Sequence, residues 1–82
     1  MTATLNTLLQ QGRRQLADSS ASPRLDAEVL LGHVLRVSRA HLYANPDRVI
    51  AAEHAATYAQ LLNERHAGRP VAHLTGQREF WS

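Results

Sequence analysis

The chain has 82 residues, no cysteine and a formal net charge of +2. That length suits one domain with one modest core, and the lack of cysteine excludes a disulfide framework and thiolate metal sites. All nine basic residues are arginine, which lifts the isoelectric point to about 9.9. Even so, no dense basic run of the kind that tracks phosphate backbones occurs, no apolar run is long enough to span a membrane, and no signal peptide opens the chain.

Thr2 or Thr4 can cap a first helix. Leu5, Leu8, Leu9 and Leu16 form its stripe at helical spacing. Gly12 interrupts that stripe, which points to close approach by a second helix, since glycine has no side chain to keep a neighbour away. Asp18 to Ser22 is a short polar loop. Ser22 then offers a capping hydroxyl and Pro23 a first helical position. The helix they start should end around Arg36 and Val37. Its apolar residues fall on two sides, with Ala27, Leu30, Leu31 and Val34 on one and Leu25, Val29 and Gly32 on the other. A helix apolar on two sides is the buried centre of a bundle.

Ser38 can cap a third helix, Arg39 to Ala44, anchored by Leu42 and Tyr43. Asn45-Pro46-Asp47 ends it, because the residue before proline disfavours helical geometry. A fourth helix begins between Asp47 and Ala52, with Asp47 or Ala51 at its start, and its stripe is Ala51, Ala55, Tyr58 and Leu62, with Leu61 beside them. Gly68 is a left-handed stop. Pro70 opens a single short turn through Val71, Ala72 and Leu74, closed by Thr75 and Gly76, and Glu79-Phe80-Trp81 reads as the start of a strand. The expected fold class is all-α: a small bundle of four main helices plus a short fifth turn, ending in the start of a connector strand. Residues 1–75 would be the helical domain and 76–82 the start of the connector. Two aromatics near a terminus each carry about 150–250 Å² to bury, so Gly76, Glu79, Phe80 and Trp81 are expected to pack against a further domain.

Few residues point to chemistry. The five histidines include no one-turn pair that would place two ligands on one helix face. His33 and His41 lie on different helices, and a helix break separates His66 from His73, so no metal ligand is assigned. Asp26 and Glu28, two residues apart, point away from each other on a helix and suit the positive end of the helix dipole. No Gly-x-Ser-x-Gly elbow surrounds Ser19, Ser20 or Ser22. No glycine-rich loop follows a strand, so no nucleotide or S-adenosylmethionine cradle is visible. Catalytic and cofactor-binding residues are therefore expected to be none. Recognition falls to arginines near the chain's end. Arg65, Arg69 and Arg78 can form a substrate-contact patch through forked hydrogen bonds, or else be solvated side chains at a helix C-terminus.

The stretch Gly68-Arg69-Pro70-Val71-Ala72-His73-Leu74-Thr75-Gly76, followed by Arg78-Glu79-Phe80-Trp81, resembles the domain junction of HemK/PrmC-type protein-glutamine methyltransferases. Arg24-Leu25-Asp26-Ala27-Glu28-Val29-Leu30-Leu31 resembles the second helix of their N-terminal domain. His73 departs from the tyrosine frequent in that family, and Ala51 from a common capping residue. The resemblance implies a helical domain that helps to recognise a class-1 peptide chain release factor. It also implies a downstream catalytic domain that uses S-adenosylmethionine to methylate the glutamine of a Gly-Gly-Gln motif. Cytoplasmic location, no membrane contact, no direct nucleic-acid contact and no catalysis by these 82 residues alone are the accompanying expectations. The alternative is a standalone helical adaptor or nucleic-acid-binding module without catalysis. The short apolar third helix argues against a base-reading helix.

Overall fold

The computed structural model describes residues 3–75. In chain order they form β1 (Ala3–Thr4), α1 (Leu5–Leu16), α2 (Pro23–Leu35), α3 (Arg39–Ala44), β2 (Val49–Ile50), α4 (Ala52–His66) and α5 (Val71–Thr75). The all-α class stands, and the short fifth turn is a five-residue helix. Gly76, Arg78, Glu79, Phe80 and Trp81 lie outside the described residues.

Two additions concern the ends of helices. First, β1 and β2 pair antiparallel, Ala3 opposite Ile50 and Thr4 opposite Val49. This two-residue ladder has no period long enough to show in a sequence. It brings the 46–48 segment over the start of α1, where Arg48 and Pro46 carbonyls accept the Leu5 and Asn6 N–H groups at 2.8 and 3.0 Å. Thr4 and Thr7 close a reciprocal capping box. The N–H groups that an α-helix leaves open at its start are thus partly satisfied by a distant loop. Second, the Ser22 hydroxyl does not cap α2. Ser20 Oγ takes the Ser22 N–H at 3.1 Å and donates to the Asp26 carboxylate, so the loop is fastened to α2 one residue pair away from the expected position. At the other end α2 stops at Leu35. Arg36 enters the left-handed region at φ 59°, and the Val37 N–H returns to the Gly32 carbonyl at 3.0 Å.

The centre of the bundle is α2, which packs against α1, α3, α4 and α5. Leu5, Leu8, Leu16, Leu30, Leu31, Leu42, Ile50, Tyr58 and Leu62 make one core, with Val71 and Leu74 of α5 against it. Gly12 sits where α1 meets both neighbours. A methyl there would collide with the Tyr58 hydroxyl and stand 2.9 Å from Ala27 Cβ. The close approach expected from sequence is therefore present, and two helices share it. Tyr58 is fully buried and its hydroxyl has no hydrogen-bond partner among the described residues. Burial pushes its phenol well above the ordinary value of 10.0.

Three apolar assignments are corrected. Leu25 stays 42% exposed although it lies on the second apolar side of α2. The reason is that α3 is only six residues long and its Leu42 reaches α2 at Gly32, two turns beyond Leu25. Tyr43 is half exposed and is no core anchor, since its hydroxyl is drawn to a carboxylate. Ala51 is the exposed N-cap of α4, not part of its buried stripe, and makes no side-chain cap.

Candidate recognition surface

Asp26 and Glu28, expected to serve the helix dipole, each hold a network. Two residues apart on α2, they face different neighbours, so one carboxylate ties α2 to α4 and the other ties it to α3.

The Asp26 network lies at the end of the bundle where α1 finishes, α2 begins and α4 finishes. Arg65 Nε donates to Asp26 Oδ2 at 3.0 Å, and both side chains are largely buried. The same Asp26 oxygen accepts from Ser20, and a second Arg65 nitrogen reaches the Arg69 carbonyl at 3.5 Å. His66 Nδ1 lies 3.1 Å from both the Gln15 carbonyl and Ser19 Oγ. Of the expected contact arginines, Arg65 is therefore turned inward as a strut. Arg69 is mostly exposed and pairs with Glu64 at 3.2 Å, so the structure brings Arg65 and Arg69 together, but with only Arg69 facing solvent.

The Glu28 network was not legible as a site, although the one-turn spacing of Arg24 and Glu28 was a signal for their pairing. Glu28 is 3% exposed. Arg24 Nε and Arg39 Nε donate to it at 3.2 and 3.0 Å, and the Tyr43 hydroxyl lies 2.7 and 2.8 Å from its two oxygens. Burial pushes the carboxyl upward, but the bonds from Tyr43, Arg24 and Arg39 together outweigh it and hold it below the ordinary 4.5. The three partners are anchored from below, yet remain exposed at their outer surfaces: 67% for Arg24, 52% for Arg39 and 50% for Tyr43. The Arg24 guanidinium stands 5.8 Å from the centre of the Tyr43 ring, within cation–π range.

Two grooves meet at Pro23 and Arg24. One, of about 570 Å³, runs between α1 and α2 along Gln10, Arg13, Arg14 and Ala17. The other, of about 440 Å³, continues over Leu25, Glu28, Arg39 and Tyr43. Both are open, polar-rimmed surfaces suited to a macromolecular partner, not enclosed small-molecule pockets. Among the described residues no three His, Asp or Glu side chains converge to hold a metal ion. Among the described residues β1 enters α1 without the glycine-rich turn of a nucleotide cradle. No helix of the described residues is long and apolar enough to cross a membrane.

A profile of the PrmC N-terminal domain family matches residues 7–76. The chain is 47% identical to the release factor glutamine methyltransferase of Shewanella oneidensis over 90% of its own length and 26% of that protein. It is 43% identical to the one from Vibrio cholerae over 100% of its length and 29% of that protein. The Escherichia coli protein of the same name is 45% identical over 78% of the chain and 23% of that protein. The chain thus spans about a quarter of the length of the curated relatives it matches. No solved structure matches it.

Proposed function

The chain belongs to the PrmC N-terminal domain family, and from that premise we propose that it is the substrate-recognition domain of a protein-glutamine methyltransferase. The observation that carries this is the family match across nearly the whole helical domain. Its substrate is a class-1 peptide chain release factor, and the acceptor is the side-chain amide of the glutamine in Gly-Gly-Gln. S-adenosylmethionine supplies the methyl group from a catalytic domain carried elsewhere in the protein. The enzyme works in the cytoplasm.

The division of labour has a physical basis. An amide nitrogen is a weak nucleophile, and one glutamine must be chosen among many. Contacts far from the reacting atom can supply orientation that the amide itself cannot. A domain can spend contact energy in this way only if it does not deform on binding. Here α2 is locked to α4 through Asp26 and Arg65, and to α3 through Glu28. In this reading Arg69, and Arg78 beyond the described residues, offer forks to the partner, while Arg65 acts by holding α4 in place.

The test is a titration of isotope-labelled chain with an intact class-1 release factor, followed by amide NMR. Shifts confined to one face are expected. A spectrum unchanged at saturating factor refutes recognition by this domain.

A further inference from the structure

We infer that the surface joining the two grooves, formed by Arg13, Arg14, Arg24, Leu25, Arg39 and Tyr43, is a docking face additional to Arg69 and Arg78, and that it takes an acidic protein segment bearing an apolar side chain. This deepens the recognition role proposed above and rests on it.

Charge comes first. No acid precedes Asp18, so α1 is free of carboxylates. Arg13 and Arg14 are exposed and have no ion-pair partner among the described residues. With Arg24 and Arg39 they line the two joined grooves with four guanidinium groups, and the carboxylate among the lining residues, that of Glu28, is buried beneath Arg24 and Arg39. Carboxylates match these planar forks in geometry as well as sign.

Apolar contact comes second. Leu25 is one of the few large exposed hydrophobic residues and lies in the same groove as Tyr43. Arginine and tyrosine are the residue types that most often dominate binding energy at interfaces.

Preorganisation comes third. Arg24, Arg39 and Tyr43 are more than half-exposed or close to it, yet all three are bonded to the buried Glu28. Holding rotamer-rich side chains before the partner arrives removes part of the ordering cost of binding. An apolar residue at position 28 would tie α2 to α3 without burying a charge, so a carboxylate there has its clearest use in fixing the groups above it. A nucleic acid is the poorer occupant. Four arginines in two short grooves fall below the roughly six to ten phosphate contacts of strong backbone binders, and the chain's formal net charge is only +2.

The experiment uses the labelled chain, an intact class-1 release factor and single charge reversals. Arg13→Glu and Arg14→Glu should each raise Kd about tenfold at low salt, mainly through slower association, as expected for reversing an exposed charge on a docking face. The loss should shrink as salt is raised and screening sets in. Arg48→Glu, beside β2, should leave Kd near wild type. Leu25→Ser should weaken binding with little salt dependence, and the amides of residues 13, 14, 25 and 43 should shift. If the wild-type chain binds but the Arg13 and Arg14 variants match it, the docking face is wrong and the recognition role stands. If the wild-type chain does not bind the factor, both fail. If a mixed-sequence single-stranded RNA displaces the factor from this face, the acidic-segment assignment is overturned in favour of nucleic acid.

Discussion

Gly12→Ala tests whether helix approach, and not helix propensity, decides this position. In an open helix the change would stabilise by about 1 kcal/mol. Here the added methyl would meet the Tyr58 hydroxyl, stand 2.9 Å from Ala27 Cβ and 3.3 Å from Leu62 Cδ2. Ala27 Cβ is fixed to the α2 backbone and cannot rotate away, so α1 and α2 must part by a few tenths of an ångström. Overpacking of this kind costs about 1–3 kcal/mol and should more than cancel the propensity gain. A net loss of about 1 kcal/mol corresponds to a fall in Tm of about 4–8 °C for a domain of this size, read by circular dichroism. Tyr58→Phe supplies the cross-check. It removes the nearest collision and a buried hydroxyl without a partner among the described residues, so alone it should stabilise by about 1 kcal/mol. In that background Gly12→Ala should cost measurably less, because contacting residues couple. A higher Tm for Gly12→Ala, or an equal cost in both backgrounds, would refute the close approach.

Glu28 predicts an acid dependence. Its carboxyl is held below 4.5 in the folded chain, so the folded state binds fewer protons than the unfolded state near that pH. Its contribution is present above the ordinary 4.5 and is lost as pH falls through the lower folded value, so Glu28→Gln should flatten the loss of stability on acidification below that value in urea titrations. Tyr58 predicts the alkaline counterpart. Because burial raises the folded phenol above 10.0, the unfolded chain gives up its proton first, so stability is unaffected by this group below that value and falls as pH rises past it, and Tyr58→Phe should remove this fall. Arg65→Ala leaves Asp26 without its charged partner and should cost about 1–3 kcal/mol, scaled down from a fully buried pair, with Arg65→Lys intermediate because it lacks the fork. Arg36→Gly should raise stability by about 0.5–1 kcal/mol, since φ 59° is strained for arginine and free for glycine. Calorimetry decides both.

The helices were legible because each carries its own period and its own stop. Gly68 has φ 110°, as a left-handed C-terminal stop requires. The leucines of α1 at positions 5, 8 and 16 follow the helical repeat. The pairing of β1 with β2 was not legible, because two residues cannot display a period. The exposure of Leu25 was equally hidden, since it depends on how far α3 extends over α2. The carboxylates show a different limit. Position on the helix told that Asp26 and Glu28 diverge, but not what each meets. Arg65 lies 39 residues from Asp26 and Tyr43 lies 15 from Glu28, separations at which local spacing carries no information.

These pairings also change what the net charge means. Asp26, Glu28 and Glu64 are each committed to arginines inside the domain. Among the described residues, Arg13, Arg14, Arg36 and Arg48 have no carboxylate at ion-pair distance. A formal charge of +2 is therefore distributed unevenly: Asp26 and Glu28 are drawn into the packing of α2, while the charged side chains of α1 itself are all positive. A partner approaching α1 meets a field stronger than the total implies. That field acts over about 10 Å at moderate salt, far enough to bias the orientation of encounter before any side chain touches. Burying Glu28 beneath Arg24, Arg39 and Tyr43 thus does two things with one residue. It fixes the side chains that make contact, and it keeps the residue's own charge from facing an acidic partner.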